Sequence, residues 1–152
     1  EMLFNRINRA ENFIRNTGVK INHSGNRAYY RLFTDEIYLP PDIMFTGSET
    51  QTPEEAYYAT AFHEMAHWTG AYDRLNRRFG KRFGDHAYAV EELVAEISAA
   101  FTSCKLDITD APREDHAQYL ASWLKVLKED SRAILTASSK AQEATDYLFK
   151  LQ

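Results

Sequence analysis

Apolar residues recur at helical spacing over residues 3–14, which predicts a first amphipathic helix that ends at Gly18. Three short segments rich in β-branched and aromatic residues follow at 19–21, 28–33 and 37–39, and these predict strands. Pro40 and Pro41 end the third segment because proline has no backbone N–H to donate to a sheet. Residues 42–51 show no periodicity and predict a loop.

The strongest start signal of the chain precedes the next helix. Thr52 is a good capping residue, Pro53 suits the first helical position, and Glu55 completes a T-x-x-E capping box. We expect this helix to run to about Thr69 and to stop at Gly70.

Three further helices are predicted in the second half of the chain. Asp85 can cap a helix over 86–104, Pro112 can open another, and Asp130 can begin the last. The expected fold is therefore α+β, with a small N-terminal β-sheet followed by a mostly helical C-terminal half.

Composition narrows the class of protein. The length of 152 residues corresponds to one domain, and an apolar content of 44% is ordinary for a globular protein. Cys104 is the single cysteine, so no disulfide forms within the chain, which suits a reducing compartment and predicts a cytoplasmic protein. The net charge of −4 argues against nucleic-acid binding over the whole surface, and no uncharged apolar run is long enough to span a membrane. The start at Glu1 rather than Met fits a domain of a longer protein.

The pattern His63-Glu64-x-x-His67 lies within the capped helix and is the main chemical signal. Histidines four positions apart lie one turn apart on one helical face, about 40° from each other around the axis. Their imidazole nitrogens can therefore reach a single Zn²⁺ ion. Glu64 can act as general base on a water at that ion and then carry the proton to a leaving amine. The alternative is a pair of ordinary helical histidines beside a surface glutamate.

A catalytic zinc needs a third protein ligand and one open position. Cys104 and His86 are candidates, but the helix over 86–104 offers better ones. On a helical wheel Glu92 and Glu96 point to sides that otherwise look buried, whereas Glu91 is expected to be a solvated surface charge. We predict Glu92 as the third ligand and Glu96 as a hydrogen-bond partner of a ligating histidine, with the exchanged assignment left open.

The same helical wheel predicts the surroundings of other side chains on this helix. Ser98, Thr102 and Lys105 share the arc of Glu91, so we expect that arc to face solvent. Cys104 ends the apolar stripe and is expected to be a buried, inert thiol. Trp68 and Trp123 are expected in the core.

Several motifs together resemble a known family. The spacing from Glu92 to Glu96 is similar to the E-x-x-x-D/E arrangement of zincin metallopeptidases that use a glutamate as third ligand. Further matches are H-E-M-A-H-W-T-G at 63–70, R-L-N-R at 74–77, F-G-D at 83–85 and E-E-L-V-A-E at 91–96. These motifs resemble the C-terminal domain of ArdC-like antirestriction proteins, and the resemblance covers most of residues 1–152.

The resemblance implies a zinc metallopeptidase domain of a protein carried by plasmids, phages or related mobile elements. It implies a protein or peptide substrate, a role against host restriction with a restriction enzyme as partner, and single-stranded DNA binding through a separate N-terminal domain rather than this one.

Two other function classes stay open. A catalytically inactive binding module, with a structural metal or none, could block a restriction enzyme by contact, and a closed site of four protein ligands would support it. Five basic residues between 74 and 82 could instead bind DNA, although no aromatic–basic alternation marks a stacking platform, which favours a solvated loop paired with carboxylates. These residues are Arg74, Arg77, Arg78, Lys81 and Arg82.

Tyrosines supply two weaker signals. A predicted strand that carries Tyr29, Tyr30 or Tyr38 could hold an extended peptide by backbone hydrogen bonds, although ordinary packing on the sheet is favoured for each ring. Tyr72, Tyr88 or a loop arginine could stabilise an oxyanion, and the sequence does not choose among them.

Overall fold

The computed structural model describes residues 6–80, 85–108, 121–125, 127–128 and 130–152. A short helix and a sheet come first: α1 (Asn8–Thr17), β1 (Lys20–His23), β2 (Tyr29–Arg31) and β3 (Glu36–Leu39). After a 3-10 turn at Asp42–Met44, three long helices follow: α2 (Pro53–Thr69), α3 (His86–Lys105) and α4 (Ser131–Lys150). The predicted helix start at Pro112 lies outside the described residues, and residues 121–125 beyond it are helical.

The predicted caps begin the three long helices. The Thr52 hydroxyl accepts the Glu55 N–H at 3.1 Å, and Asp85 accepts the Ala87 N–H at 2.9 Å. Asp130 accepts from the N–H groups of the first turn of α4. Each cap satisfies a helix-terminal donor that the helix itself leaves unpaired, which explains why the starts were predictable locally.

The sheet has the strand order β1-β3-β2, with β1 parallel and β2 antiparallel to β3. Ile37 and Leu39 of the central strand are fully buried, while β1 and β2 lie at the two edges. β2 is shorter than the predicted segment at 28–33, because its pairing with β3 ends at Arg31. The sheet therefore presents β2 as an edge strand next to α2, which contacts both β2 and β3.

Helix α2 forms the centre of the molecule. Twelve of its 17 residues are buried, because the sheet covers one side and α3 and α4 cover others. Phe62 and Met65 are fully buried, and the Phe13 ring of α1 packs edge-on against Phe62 at 5.8 Å. Because α2 is buried on most sides, its polar side chains His63, Glu64 and His67 need partners from the surrounding elements. None of the helices in the described part of the chain combines the length and apolar character needed to cross a bilayer.

Two expectations for α3 were wrong. Ser98 and Thr102 are fully buried instead of facing solvent, because α3 packs against α4 as well as α2. The Ser98 and Thr145 hydroxyls lie 2.9 Å apart between the two helices, so a small polar residue is satisfied in the interface. The Cys104 thiol is exposed rather than buried, because it lies near the end of α3. Trp68 and Trp123 are buried, as expected.

Candidate metal centre

The two histidines of α2 meet one carboxylate of α3. The ring centroids of His63 and His67 lie 4.9 Å apart, as expected for side chains one turn apart. His63 Nε2 lies 3.2 Å from Glu92 Oε2, and His67 Nε2 lies 3.1 Å from Glu92 Oε1. One ligand atom from each of the three residues falls within 4.8 Å of the others. Two imidazoles and one carboxylate are the donor set of a common class of zinc site, so these residues fit such an ion.

Two further carboxylates hold the outer nitrogens of the same rings. His63 Nδ1 lies 2.7 Å from Glu96 Oε1, and His67 Nδ1 lies 2.7 Å from Glu91 Oε2. A hydrogen bond at Nδ1 turns Nε2 toward the inner position and fixes the tautomer. The structure thus places Glu92 between the two rings and Glu96 on the outer side of His63.

The expectation for Glu91 was wrong. Its side chain is only 3% exposed, because the loop after α2 folds back and brings Arg77 against it. Arg77 Nε donates to Glu91 Oε1 at 2.8 Å, and His67 occupies Oε2. The helical wheel could not show this, because the cover comes from a loop and not from a helix. One signal in the sequence pointed to Glu91: two metal-ligating histidines need two Nδ1 acceptors, and Glu96 supplies only one.

The other candidate ligands lie elsewhere. Within the described ranges, the group of converging ligand atoms includes neither Cys104 nor His86. Cys104 is exposed, and the His86 side chain is 64% exposed near Asp130.

Burial and charge shift the pKa of both histidines and of the carboxylate between them. Burial lowers the pKa of His67, but hydrogen bonds with Glu91 and Glu92 outweigh it and raise the pKa to about 9. The pKa of His63 is likewise raised, since contacts with Glu92 and Glu96 exceed the effect of burial. Burial alone would raise the pKa of Glu92, yet the two histidines hold it well below its usual range. Without a metal, charged imidazoles and carboxylates therefore hold the centre together.

Glu64 behaves differently from the other carboxylates. Burial raises its pKa, and the neighbouring positive histidines only partly counter this. It is buried, and it lines the same cleft as the histidines. A carboxylate with a raised pKa beside the candidate ligands takes up a proton more readily than a glutamate in water does, as a general base must.

The centre opens into a cleft of about 900 Å³. Its walls include the β2 edge with Tyr29 and Tyr30, and Tyr88 of α3. Tyr88 begins the turn of α3 that ends at Glu92, so it lies on the same helical face. Tyr72 is 85% exposed and lines a different cleft.

Two arginines of the basic loop are paired inside the protein. Arg74 pairs with Asp35 and donates to the Trp68 carbonyl oxygen at 2.7 Å, and Arg77 pairs with Glu91. Arg78 is exposed, while residues 81 and 82 lie outside the described residues. Pairing with carboxylates, the favoured interpretation of this loop, holds for Arg74 and Arg77.

Relatives share both sequence and fold with this chain. The uncharacterized protein y4eC of Sinorhizobium fredii is 43% identical over 147 residues, which are 97% of this chain and 46% of that protein. A DNA primase TraC of Escherichia coli is 38% identical over 153 residues, covering 100% of this chain and 10% of the primase. The chain thus spans less than half the length of these curated relatives.

Solved structures extend the match to three dimensions. The metal-free crystal structure of the antirestriction protein ArdC from plasmid R388 aligns with a TM-score of 0.73 at 38% identity, over 97% of this chain and 51% of that one. Its Mn(II)-bound structure aligns with a TM-score of 0.69 at 34% identity, over 97% of this chain and 53% of the other. The expected resemblance to ArdC-like proteins and the expected α+β zincin-like fold are both confirmed.

The family model described as zincin-like metallopeptidase matches residues 8–140, which include α2, the loop after it and α3. The chain belongs to the zincin-like metallopeptidase family.

Proposed function

We propose that this domain is a zinc-dependent peptidase in which His63, His67 and Glu92 hold the metal. The observation that carries the proposal is the convergence of these three ligand atoms beside buried Glu64 in an open cleft. Bound zinc would polarise a scissile carbonyl and lower the pKa of a water ligand. A relative is known with Mn(II), so the test includes both metals.

Glu64 is the proposed general base. Its raised pKa suits a carboxylate that accepts a proton from the attacking water and passes it to the leaving amine. Glu96 and Glu91 would orient the rings of His63 and His67 through their Nδ1 atoms, leaving Nε2 of each for the metal.

Tyr88 is the proposed oxyanion donor. It lines the cleft, and burial followed by the charges of Glu92 and Glu64 raises the pKa of its phenol. The hydroxyl therefore keeps its proton at neutral pH and can donate it in a hydrogen bond. The edge strand β2, whose Tyr29 and Tyr30 line the same cleft, could hold an extended peptide by backbone hydrogen bonds.

A cleavage screen with three variants tests this function. Wild-type protein and the Glu64→Ala, Glu92→Ala and Glu143→Gln variants are loaded with Zn²⁺ or Mn²⁺ and incubated with a host proteome, and new peptide termini are identified by mass spectrometry. We expect Glu64→Ala to keep its metal and lose cleavage, and Glu92→Ala to lose both. Glu143 is exposed on α4, so its variant should cleave as wild type does. Equal cleavage by wild type and Glu64→Ala would refute the role of Glu64.

A second candidate function is a metal-stabilised binding module without catalysis. The observation that favours it is that the related proteins are described by antirestriction and primase names, neither of which states peptide hydrolysis. Such a module would block a restriction enzyme by contact, or bind DNA. X-ray absorption of the zinc-loaded protein separates the two candidates, because a closed site of four protein ligands excludes an open catalytic position. A cytoplasmic location and a separate DNA-binding domain in a longer protein stay predictions.

A further inference from the structure

A buried arginine completes the surroundings of His67. The Arg77 and Glu91 side chains are 4% and 3% exposed, and Arg77 Nε donates to Glu91 Oε1 at 2.8 Å. Arg77 Nη2 lies 3.2 Å from Glu91 Oε2, the oxygen that faces His67 Nδ1 at 2.7 Å. The Glu91 carboxylate therefore contacts two nitrogens of the Arg77 guanidinium on one side and the His67 imidazole on the other.

The same guanidinium is anchored to α2. Arg77 Nη1 donates to the Thr69 hydroxyl at 2.9 Å, and Nη2 donates to the Ala66 carbonyl oxygen at 2.5 Å. Ala66 lies in the last turn of α2, where carbonyls lack backbone N–H partners within the helix, and its carbonyl oxygen also accepts from the Thr69 hydroxyl at 2.6 Å. Arg77 thus links the end of the helix that carries His67 to the carboxylate of α3 that orients this histidine.

Gly70 leaves the space that this arrangement needs. Its φ of −84° suits any residue, so backbone conformation does not require glycine there. A Cβ at this position would lie 2.8 Å from Arg77 Nη2 and 2.8 Å from Phe79 Cζ. Gly70, the last residue of the H-E-M-A-H-W-T-G motif, has no side chain and therefore leaves room for the Arg77 guanidinium.

We propose that Arg77 is a positioning residue for the metal centre, acting through Glu91 on the ring of His67 and so setting metal affinity. This inference rests on the proposed metal site. Arg77 compensates the buried charge of Glu91 and fixes the orientation of its carboxylate, and Glu91 in turn fixes the His67 ring. Loss of an outer partner of a metal-ligating histidine typically costs about 10–100-fold in metal affinity.

Zinc affinity measured by chelator competition tests the proposal in four variants. Arg77→Met and Glu91→Ala should each weaken Zn²⁺ binding by about 10–100-fold. The double variant should bind about as weakly as Glu91→Ala alone, since Arg77 acts through Glu91. Arg74→Met is the matched control: Arg74 also anchors to the end of α2, through the Trp68 carbonyl, but pairs with Asp35. This variant should bind zinc within about 3-fold of wild type.

Co²⁺ adds a readout that a merely structural role would leave unchanged. The visible absorption of Co²⁺ depends on the orientation of its ligands, so the Arg77→Met spectrum should differ from wild type while the Arg74→Met spectrum should not. If Arg77→Met does not fold, Arg77→Lys replaces it; lysine keeps the charge but lacks the planar fork, and about 10-fold weaker binding is expected.

A measurement on the unaltered protein needs no variant to fold. In nitrogen-15 NMR of the zinc-loaded wild type, we expect slow solvent exchange of the Arg77 Nε–H and a proton on His67 Nδ1. Exchange of the Arg77 Nε–H as fast as in exposed Arg132 would overturn the proposal.

Two further results are decisive and distinct. If wild type binds Zn²⁺ and the Arg77 and Glu91 variants bind it equally well, or if their effects multiply in the double variant, the role of Arg77 is overturned and the metal site stands. If wild type binds neither Zn²⁺ nor Co²⁺, the proposed metal site itself fails and the role of Arg77 falls with it.

Discussion

Glu91, Glu92 and Glu96 of α3 contact different nitrogen atoms of the two histidines. Glu92 faces both Nε2 atoms, whereas Glu91 and Glu96 each face one Nδ1 atom. Glu64 is also buried, but its pKa is raised where those of Glu91 and Glu92 are lowered. The pKa values of Glu91 and Glu92 are lowered because both carboxylates accept hydrogen bonds from histidine. The pKa of Glu64 is raised because the effect of its burial exceeds that of the neighbouring histidine charges.

Tyr88 supplies a residue-scale prediction. Replacing Tyr88 with phenylalanine removes the hydroxyl and retains the ring, which packs 5.4 Å from the Trp123 ring. If the hydroxyl stabilises the oxyanion, kcat should fall by about 10²-fold with zinc affinity unchanged. Steady-state hydrolysis of a peptide found in the cleavage screen measures this. Tyr72→Phe is the matched control, because Tyr72 lies outside the cleft; equal kcat values for the two variants would exclude Tyr88 as the donor.

At the scale of elements, the site depends on the junction of α2 with the loop that follows it. The loop turns back at once, and the Arg77 N–H donates to the Gly70 carbonyl oxygen at 2.9 Å. Arg74 and Arg77 both donate to carbonyls near the end of α2 and join the loop to the helix end. Of the two, Arg77 connects this unit to the metal centre through Glu91, whereas Arg74 pairs with Asp35. The cationic groups also suit the negative end of the helix dipole.

Gly70→Ala tests that unit. Alanine favours helical backbone and ordinarily stabilises by about 0.4–1 kcal/mol, but here its Cβ must displace Arg77 or Phe79. We expect a net loss of about 1–3 kcal/mol in the free energy of unfolding, measured in urea, together with weaker zinc binding.

Gly25→Ala separates the two effects of that change. Gly25 has a φ of 71° with open space around its Cβ position, so alanine there strains only the backbone. It should cost stability and leave zinc affinity unchanged. Increased stability of Gly70→Ala would contradict the close packing at the helix end.

Across the whole molecule, the centre couples metal binding to protonation. Metal-free His67 has a pKa of about 9, above the value of about 6.5 for an unfolded chain. Its contribution to folding is complete below about pH 6.5 and is lost as pH rises through 9. At acidic pH the lowered pKa values of Glu91 and Glu92 matter instead. Their contribution to folding stability is complete above about pH 4.5 and is lost as the pH falls below that value.

Metal removal should therefore change the pH dependence of stability. We expect the melting temperature of the metal-free protein to fall between pH 7 and 9, while the rise in melting temperature on adding zinc grows over the same range. Zinc must displace the His67 proton, so its apparent affinity increases as that proton is lost. Thermal melts with Zn²⁺ or with EDTA measure both trends. His67→Gln should make the fall of the metal-free curve shallower, with the raised pKa of His63 accounting for the part that is left. A wild-type curve already flat from pH 7 to 9 would contradict the raised pKa of His67.

The sequence by itself determined the features that depend on neighbours along the chain. The caps at Thr52, Asp85 and Asp130 begin helices where predicted, because a cap needs only the first turn. The one-turn spacing of His63 and His67 likewise follows from helical geometry alone. Periodicity on α3 also led to Glu92 and Glu96, which the structure brings to the histidines, although their roles remain proposals.

Only the tertiary structure decided the surroundings of Glu91, Ser98 and Cys104. Glu91 is covered by a loop arginine and Ser98 by α4, and neither contact leaves a periodic signal on α3 itself. Hydrophobic periodicity assumes that polar arcs face water, but a buried polar group is stable when a partner from elsewhere in the chain satisfies it. The path of the chain after Gly70 brings Arg77 to Glu91, and that path is set by packing between distant elements.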